Sequence, residues 1–187
     1  MGLLIYSMVV SADGYTKDAA GGFDWGMASE ELHAVVAEAT RSVGTYLYGR
    51  RMYEMMVYWE TADQDAEMPP GIAEFARLWR ACDKIVYSTT LDEPRSARTT
   101  LRRAFDPDEI RELKRTLEHD LTIEGPELAG HALRAGLVDE LQIYLAPVVV
   151  GGGGTRFFPD DLRCELELLE QRSLENGIVY LHYRLRG

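Results

Sequence analysis

The chain has few cysteines, no excess of basic residues and no long apolar run, and each lack excludes a class of protein. Its 2 cysteines among 187 residues support neither a disulfide framework nor a cysteine-rich zinc site. The 31 Asp and Glu outnumber 20 Lys and Arg, and the net charge of −11 repels nucleic acid and anionic lipid. No apolar stretch approaches the roughly 20 residues of a membrane helix. We therefore expect a cytoplasmic protein that binds neither nucleic acid nor membrane.

The common catalytic and nucleotide-binding signatures are also missing. The sequence has no G-x-G-x-x-G turn, no P-loop and no nucleophile elbow, and its 4 histidines lack metal-ligand spacing. Hydrolytic and metal-dependent chemistry are therefore unsupported. The glycine run 151–154 precedes no clear helix, so it is either a loop that allows close chain approach or a ligand contact.

What is present is an alternation of apolar β-runs and amphipathic helices. The nearly continuous apolar run 3–10 is typical of a strand buried on both faces, which requires helices on both sides of the sheet. Further strands are predicted at 45–48, 84–88, within 96–104, and at 121–123, 140–150, 162–169 and 178–185. Helices are predicted at 30–41, 50–57, 72–82, 106–118 and 127–135. This order predicts one α/β domain over 1–187, with a mainly parallel sheet and a C-terminal antiparallel hairpin.

Three strand ends carry residues that suit a phosphate. In open α/β sheets, ligands bind where the carboxyl ends of the strands meet. Gly49 and Arg50 follow one strand, and glycine permits close approach while arginine pairs with phosphate. Ser88 follows another strand, and Gly125 precedes a helix whose positive end suits a pyrophosphate. The alternative for each is an ordinary strand-to-helix turn with solvated side chains.

Five segments occur in an informative order. They are SADG at 11–14, GRRMYE at 49–54, KIVYSTTL at 84–91, GPELA at 125–129, and AGLVDEL with APVVVGGG within 135–153. Together they resemble the dihydrofolate reductase-like family, in the branch of the RibD C-terminal domain, the pyrimidine reductase of riboflavin biosynthesis. The resemblance implies a three-layer fold with a mixed, mainly parallel sheet of about eight strands and helices on both faces. It also implies a homodimer formed through the C-terminal strands, and NADPH lying across the strand ends.

The same resemblance assigns roles to individual residues. Arg50, Ser88 and Thr89 would meet the adenosine 2′-phosphate, the helix after Gly125 the pyrophosphate, and the backbone near Ala12 the nicotinamide. The cofactor-binding residues expected in this way are Ala12, Asp13, Gly14, Gly49, Arg50, Arg51, Ser88, Thr89, Glu124, Gly125, Pro126, Glu127 and Leu128. Glu124 raises a difficulty, because a carboxylate beside a pyrophosphate repels it unless the carboxylate is turned away or paired.

Hydride transfer requires the nicotinamide to lie near an electrophilic carbon and a proton to be supplied. Folate reductases of this family use a carboxylate on the first helix, for which Glu30 is the counterpart and Asp24 a second candidate. Acids are also favoured at a helix start by its dipole alone. Trp25 and Tyr53 are candidate walls for a flat substrate, with core packing as the alternative.

These features predict an NADPH-dependent reductase of a small, pterin-like or aminopyrimidine-like heterocycle. Its reaction would resemble that of 5-amino-6-(5-phosphoribosylamino)uracil reductase or of dihydrofolate reductase. Two alternatives stay open. One is a non-catalytic ligand-binding protein on the same fold, which the carboxylate of Glu124 favours. The other is a reductase that uses a flavin or deazaflavin carrier.

Overall fold

Eight strands form one mixed sheet with helices on both faces. The structure is a computed structural model that describes residues 1–26, 29–62 and 68–186. Its strands are β1 (Leu4–Ser11), β2 (Tyr15–Lys17), β3 (Val43–Gly49), β4 (Asp83–Tyr87), β5 (Thr99–Arg102), β6 (Asp120–Glu124), β7 (Glu140–Ala146), β8 (Thr155–Arg156), β9 (Glu165–Ser173) and β10 (Val179–Arg186). Its helices are α1 (Glu30–Ala39), α2 (Arg50–Met56), α3 (Pro70–Ala81), α4 (Pro107–Thr116) and α5 (Pro126–Arg134). Short 3-10 turns lie at Asp24–Gly26, Val57–Glu60 and Glu175–Gly177.

The strand order of the large sheet is β5-β4-β3-β6-β1-β7-β10-β9. Every pair from β5 to β7 is parallel, and β10 is antiparallel to both β7 and β9. The mainly parallel sheet and its C-terminal hairpin are therefore confirmed. The two-stranded ribbon of β2 and β8 has no counterpart in the sequence prediction, because each of its strands is only two or three residues long.

Alternation along the strands sends side chains to the two faces of the sheet, each of which packs against helices. On the face covered by α4 and α5, which we call the α5 face, Ile110 and Leu128 pack with Leu47 of β3. On the opposite face, the α1–α3 face, Trp79 of α3 packs with the two tyrosines on either side of Leu47, Tyr46 and Tyr48. Both faces of the sheet are thus buried, as the apolar β1 segment predicts.

Two helices that border the strand ends begin as the sequence suggests. The Ser29 side chain caps α1 by accepting a hydrogen bond from the Leu32 amide at 3.2 Å. Pro126 occupies the first turn of α5, and Gly125 before it has φ of +98°, a conformation that side chains other than glycine rarely adopt. The sharp entry into α5 therefore depends on the Gly125–Pro126 pair.

Some predicted boundaries were wrong. The β-run predicted at 140–150 ends at Ala146, because Pro147 follows and has no N–H to donate to a sheet. The first strand of the C-terminal hairpin begins at Glu165 and extends to Ser173. Helix α3 begins at Pro70, which suits a first helical turn, two residues earlier than predicted.

The β2–β8 ribbon depends on Gly154, where a Cβ atom would lie 1.9 Å from the Lys17 carbonyl oxygen. We expect Gly154→Ala to lower the free energy of unfolding by more than about 2 kcal/mol, because one backbone must move away from the other. Gly130→Ala is the matched control, since its Cβ would make ordinary contacts within α5 and gain about 0.5–1 kcal/mol of helix stability. Denaturant unfolding of both variants tests this, and equal stabilities would contradict it.

Candidate active site

A cavity of about 1370 Å³ opens at the carboxyl ends of the central parallel strands. Gly49 at the end of β3, Ser88 after β4 and Gly125 after β6 all line it, so the structure brings the three phosphate-suited strand ends together. This is where ligands bind in open α/β sheets. The cavity has two chemically different walls, which we call the polar wall and the aromatic wall.

The polar wall is formed by cavity residues that follow β3 to β6. They are Gly49, Arg50, Arg51, Ser88, Thr89, Thr90, Arg103, Gly125 and Pro126, with Glu127 and Leu128 beyond them on α5. Arg50 donates from Nε to Glu54 at 2.8 Å and from Nη1 to Thr90 at 2.6 Å. Its guanidinium is thereby held across the loop after β4, and its side chain stays 44% exposed. It can therefore bind an anion with little loss of side-chain entropy.

Arg103 organises the loop after β4 and was missed by sequence reasoning. Its Nη1 donates to the carbonyl oxygens of Ser88 at 2.9 Å and of Leu91 at 2.8 Å. The Ser88 hydroxyl in turn accepts from the amides of Thr90 at 3.2 Å and Leu91 at 2.9 Å. These bonds close the loop into a turn beside Arg50. In the sequence, Arg103 lies in a basic cluster without any signal that separates it from a solvated arginine.

The start of α5 leaves backbone donors open toward the cavity. Gly125 is its N-cap and supplies no side-chain hydrogen bond, so the amides of the first turn lack an internal partner. Arg51 and Glu127 form an ion pair of 3.3 Å at this end of the cavity, with both side chains 80% exposed. Open amides at a helix start attract anions.

The aromatic wall comes from α1, the turn at Val57–Glu60, α3 and the loop before α1. Its rings belong to Phe23, Trp25, His33, Tyr58, Trp59 and Phe75. Trp59 is the centre, with ring centroids 5.4 Å from His33, 5.1 Å from Tyr58 and 4.9 Å from Phe75, all near edge-to-face. Such contacts hold the rings in fixed orientations. Of this wall, the sequence singled out Trp25 alone.

His33 is an uncharged member of the aromatic wall at neutral pH. Burial lowers the pKa of its imidazole below 6.5, against the opposing effect of the hydrogen bond to Ser29. Nδ1 lies 3.1 Å from the Ser29 carbonyl oxygen, which can only accept, so Nδ1 carries the proton. Nε2 is then a bare acceptor.

Glu124 is a buried acid in the cavity lining. It is 8% exposed, and its carboxyl group has no hydrogen-bond partner within 1–26, 29–62 and 68–186. Tyr46 and Tyr48 of β3 and Tyr144 of β7 are its titratable neighbours. Burial raises the pKa of Glu124 to about 8, so the group is neutral at pH 7. A neutral acid removes the repulsion expected of a carboxylate beside a pyrophosphate, and it offers both a donor and an acceptor.

The predicted catalytic and substrate-wall residues lie in different places. Glu30 is exposed in the first turn of α1, and Asp24 is exposed with Oδ1 accepting from the Trp25 amide at 3.1 Å; neither lines the described cavity. Trp25 lines the cavity, and its buried Nε1 has no partner in the described chain. Tyr53, expected as a substrate wall, is instead 0% exposed in the core. Its hydroxyl accepts from the Arg95 amide at 2.7 Å, so it anchors a loop.

The loop after β1 joins the glycine run through Asp13. Its carboxylate accepts from the Ser11 hydroxyl at 2.7 Å, the Val150 amide at 3.1 Å and the Gly151 amide at 2.9 Å. Desolvation raises the pKa of Asp13, but these hydrogen bonds together outweigh it and the pKa is lowered. Ala12, Asp13, Gly14 and residues 151–154 do not line the described cavity. Of the two roles predicted for the glycine run, the structure shows the close approach of two chain segments, because Gly154 lies against the backbone of β2.

The described residues offer neither a metal site nor a membrane-spanning helix. They include no group of three or more His, Cys, Asp or Glu arranged to hold a metal ion. Within the same ranges, no helix has the length and apolar character needed to cross a membrane.

The chain is similar in sequence and in fold to known proteins. The family model of the RibD C-terminal domain matches residues 3–180. Among curated proteins, the chain is 24% identical over 185 residues to an uncharacterized protein, YyaP, of Bacillus subtilis strain 168, covering 98% of this chain and 95% of that protein.

Three solved structures share the fold. A pyrimidine reductase-like protein from Corynebacterium diphtheriae has a TM-score of 0.71 at 16% identity, over 100% of this chain and 92% of that one. The deaminase/5-amino-6-(5-phosphoribosylamino)uracil reductase of Thermotoga maritima has a TM-score of 0.67 at 14% identity, over 99% of this chain and 57% of that one. Dihydrofolate reductase from Enterococcus faecalis, complexed with NADP(H), has a TM-score of 0.62 at 14% identity, over 100% of this chain and 98% of that one. The dihydrofolate reductase-like fold is therefore confirmed.

The buried acid makes a prediction about stability. Because the folded protein holds the Glu124 proton from its ordinary pKa of 4.5 up to about 8, stability from this group is present at low pH and lost as pH rises through that window. Glu124→Gln removes the titration, so its free energy of unfolding relative to the natural chain should rise by on the order of 4 kcal/mol between these limits.

Denaturant unfolding at a series of pH values measures this difference. Glu127→Gln is the control, since its side chain is 80% exposed at the same end of the cavity and its removal should leave the slope unchanged. A Glu124→Gln curve parallel to that of the natural chain would show that the acid is already ionised at neutral pH.

Proposed function

Because the chain belongs to the RibD C-terminal domain family, we propose that it is an NADPH-dependent reductase that transfers a hydride to a small, flat heterocycle. The observation that carries this proposal is the single cavity with a polar wall and an aromatic wall. The phosphates of a cofactor need the polar wall, and a planar substrate needs the aromatic wall. Hydride transfer requires the cofactor and the substrate to lie in the same cavity.

The polar wall suits the phosphates of NADPH. Arg50 bonds to Thr90, and Ser88 and Thr89 before it line the same cavity, so charge-assisted hydrogen bonds favour a 2′-phosphate there. The open amides of Glu127 and Leu128 at the start of α5 favour a pyrophosphate, and glycine at position 125 lets it approach closely. Phe105 and His131 stack at 6.0 Å in the same cavity and offer a flat surface to an adenine ring. The neutral state of Glu124 fits this cofactor.

NADPH, when bound, supplies the hydride, and the chain has to position the acceptor and provide a proton. Glu124 suits the second task better than Glu30 or Asp24, because it lines the cavity and keeps its proton at pH 7. Glu124 is the last residue of β6, directly before Gly125. Its neighbour Ile123 packs on the α5 face, and side chains alternate along a strand, so Glu124 points to the α1–α3 face, where the aromatic wall lies. It thus reaches from the cofactor side toward the substrate.

Calorimetric titration with NADPH, and separately with NADH, tests the cofactor. We expect micromolar NADPH binding that Arg50→Ala weakens by about tenfold to a hundredfold, the loss expected for a charge-assisted hydrogen bond, with little effect on NADH. Arg77→Ala is the matched control, because that arginine pairs with Glu74 on α3 outside the cavity. Binding of neither nucleotide would contradict the proposal, and a chromophore in the purified protein would then favour a flavin or deazaflavin carrier.

We also propose a homodimer formed through the C-terminal strands. β9 is one of the two edge strands of the sheet, and it exposes Leu166, Leu168 and Leu169 by 36%, 51% and 37%. A long edge strand with exposed leucines is a ready surface for a second copy.

Light scattering after size exclusion measures the oligomeric state. Leu168→Lys should shift the protein to the mass of a monomer, because it places a charge in the apolar interface. Val149→Lys is the control, since Val149 is 72% exposed but lies outside β9. A dimer that survives Leu168→Lys would place the interface elsewhere.

A further inference from the structure

Resting on the proposed function, we infer that the substrate is an uncharged, planar aromatic compound that carries a carbonyl or lactam group and no phosphate. The inference concerns the aromatic wall, whose composition differs from what a phosphoribosyl substrate requires. It separates this chain from the activity in the name of the Thermotoga maritima protein, whose substrate bears a phosphoribosyl group.

The rings of the aromatic wall hold one another in place. Trp59 is in edge-to-face contact with Tyr58 and Phe75 and, across the cavity lining, with His33 of α1. Rings fixed by one another lose little freedom when a flat molecule packs against them. The remaining side chains of α1 and α3 that line the cavity are apolar, namely Leu32, Val36 and Ile72. This surface favours a planar apolar body.

A phosphate needs cationic or amide donors, and the aromatic wall offers few. The cavity residues of α1, the turn at Val57–Glu60 and α3 include no lysine or arginine. Residues 27–28 and 63–67, which neighbour these elements in sequence, contain none either. His33 is uncharged at neutral pH because burial lowers its pKa. A dianionic phosphate placed here would therefore be buried without a countercharge.

The arginines of the cavity all belong to the polar wall, where the proposed function assigns Arg50 to the cofactor. Arg50 bonds to Glu54 and Thr90, and Arg103 holds the carbonyl groups of the loop after β4. Arg51 pairs with Glu127. Lys17 on β2 is the remaining lysine or arginine among the described cavity residues. It is half-buried, and a phosphate-bearing substrate would have to depend on it.

Three buried polar groups of the cavity lining are uncharged. Trp25 Nε1 is a buried donor without a partner among the residues described. The Tyr144 hydroxyl is buried near Ser7 but makes no hydrogen bond of ordinary geometry within the described chain. Glu124 adds a donor and an acceptor side by side while it holds its proton. Buried groups of this kind bind carbonyl and lactam edges, which satisfy them without introducing charge.

The test uses lumichrome, an uncharged tricyclic compound with lactam groups, and two aminopyrimidines that differ only in a phosphate. These are 5-amino-6-ribitylaminouracil and its 5′-phosphate. Each compound is titrated calorimetrically into the full chain, with and without saturating NADP⁺. We expect lumichrome to bind, and Trp59→Ala to weaken its binding about tenfold through the lost ring contact. Arg77→Ala, outside the cavity, should leave it unchanged.

The phosphorylated aminopyrimidine should bind no more tightly than the unphosphorylated one. A preference of tenfold or more for the phosphate, lost in Lys17→Met, would overturn the inference and assign Lys17 to a phosphate site. Failure of lumichrome to bind in either condition would also overturn it. If lumichrome binds in a Trp59-dependent manner but NADP⁺ does not bind, the inference holds and the proposed cofactor is wrong.

Discussion

The parallel pairing of β1, β3, β4 and β6 is the constraint on which the site depends. Parallel strands end on the same edge of a sheet, so their following loops meet even when they are far apart in sequence. The register places Tyr48 opposite Glu124 and Gly49 opposite Tyr87, which aligns the ends of three strands within one residue. Arg50, Ser88 and Gly125 are therefore neighbours because of the register, and no helix has to bring them together.

Burial on the α1–α3 face then determines the charge state of the cavity. The chain carries a net charge of −11, yet Glu124 and His33 are both neutral at pH 7 because each lies in a poorly solvated wall. An ionised acid at this position would oppose the phosphates of a dinucleotide, whereas the neutral acid accepts and donates hydrogen bonds. The same desolvation that costs stability above the ordinary pKa of the acid thus keeps a proton in the cavity at neutral pH.

Sequence reasoning found the polar wall and missed most of the aromatic wall, for a physical reason. Glycine, arginine and hydroxyl residues directly after a strand identify a ligand edge locally, as at Gly49 and Arg50. His33, Trp59 and Phe75 come from three elements whose convergence is set by packing, and in each element they are ordinary apolar-face residues. Tyr53 was predicted to line the substrate site but lies in the core, because its place beside a motif does not show which side of α2 faces the core.

The two walls differ in how freely they can change. The polar wall rests on backbone geometry, such as the positive φ of Gly125, and altering it disturbs the sheet itself. The aromatic wall consists of side chains on α1, α3 and a short turn, which can be exchanged for others of similar volume while the strands stay in place. Membership of the family therefore constrains the polar wall more tightly than the aromatic wall. The ligand that fits the aromatic wall is therefore determined by the rings and charges of this chain and not by its fold.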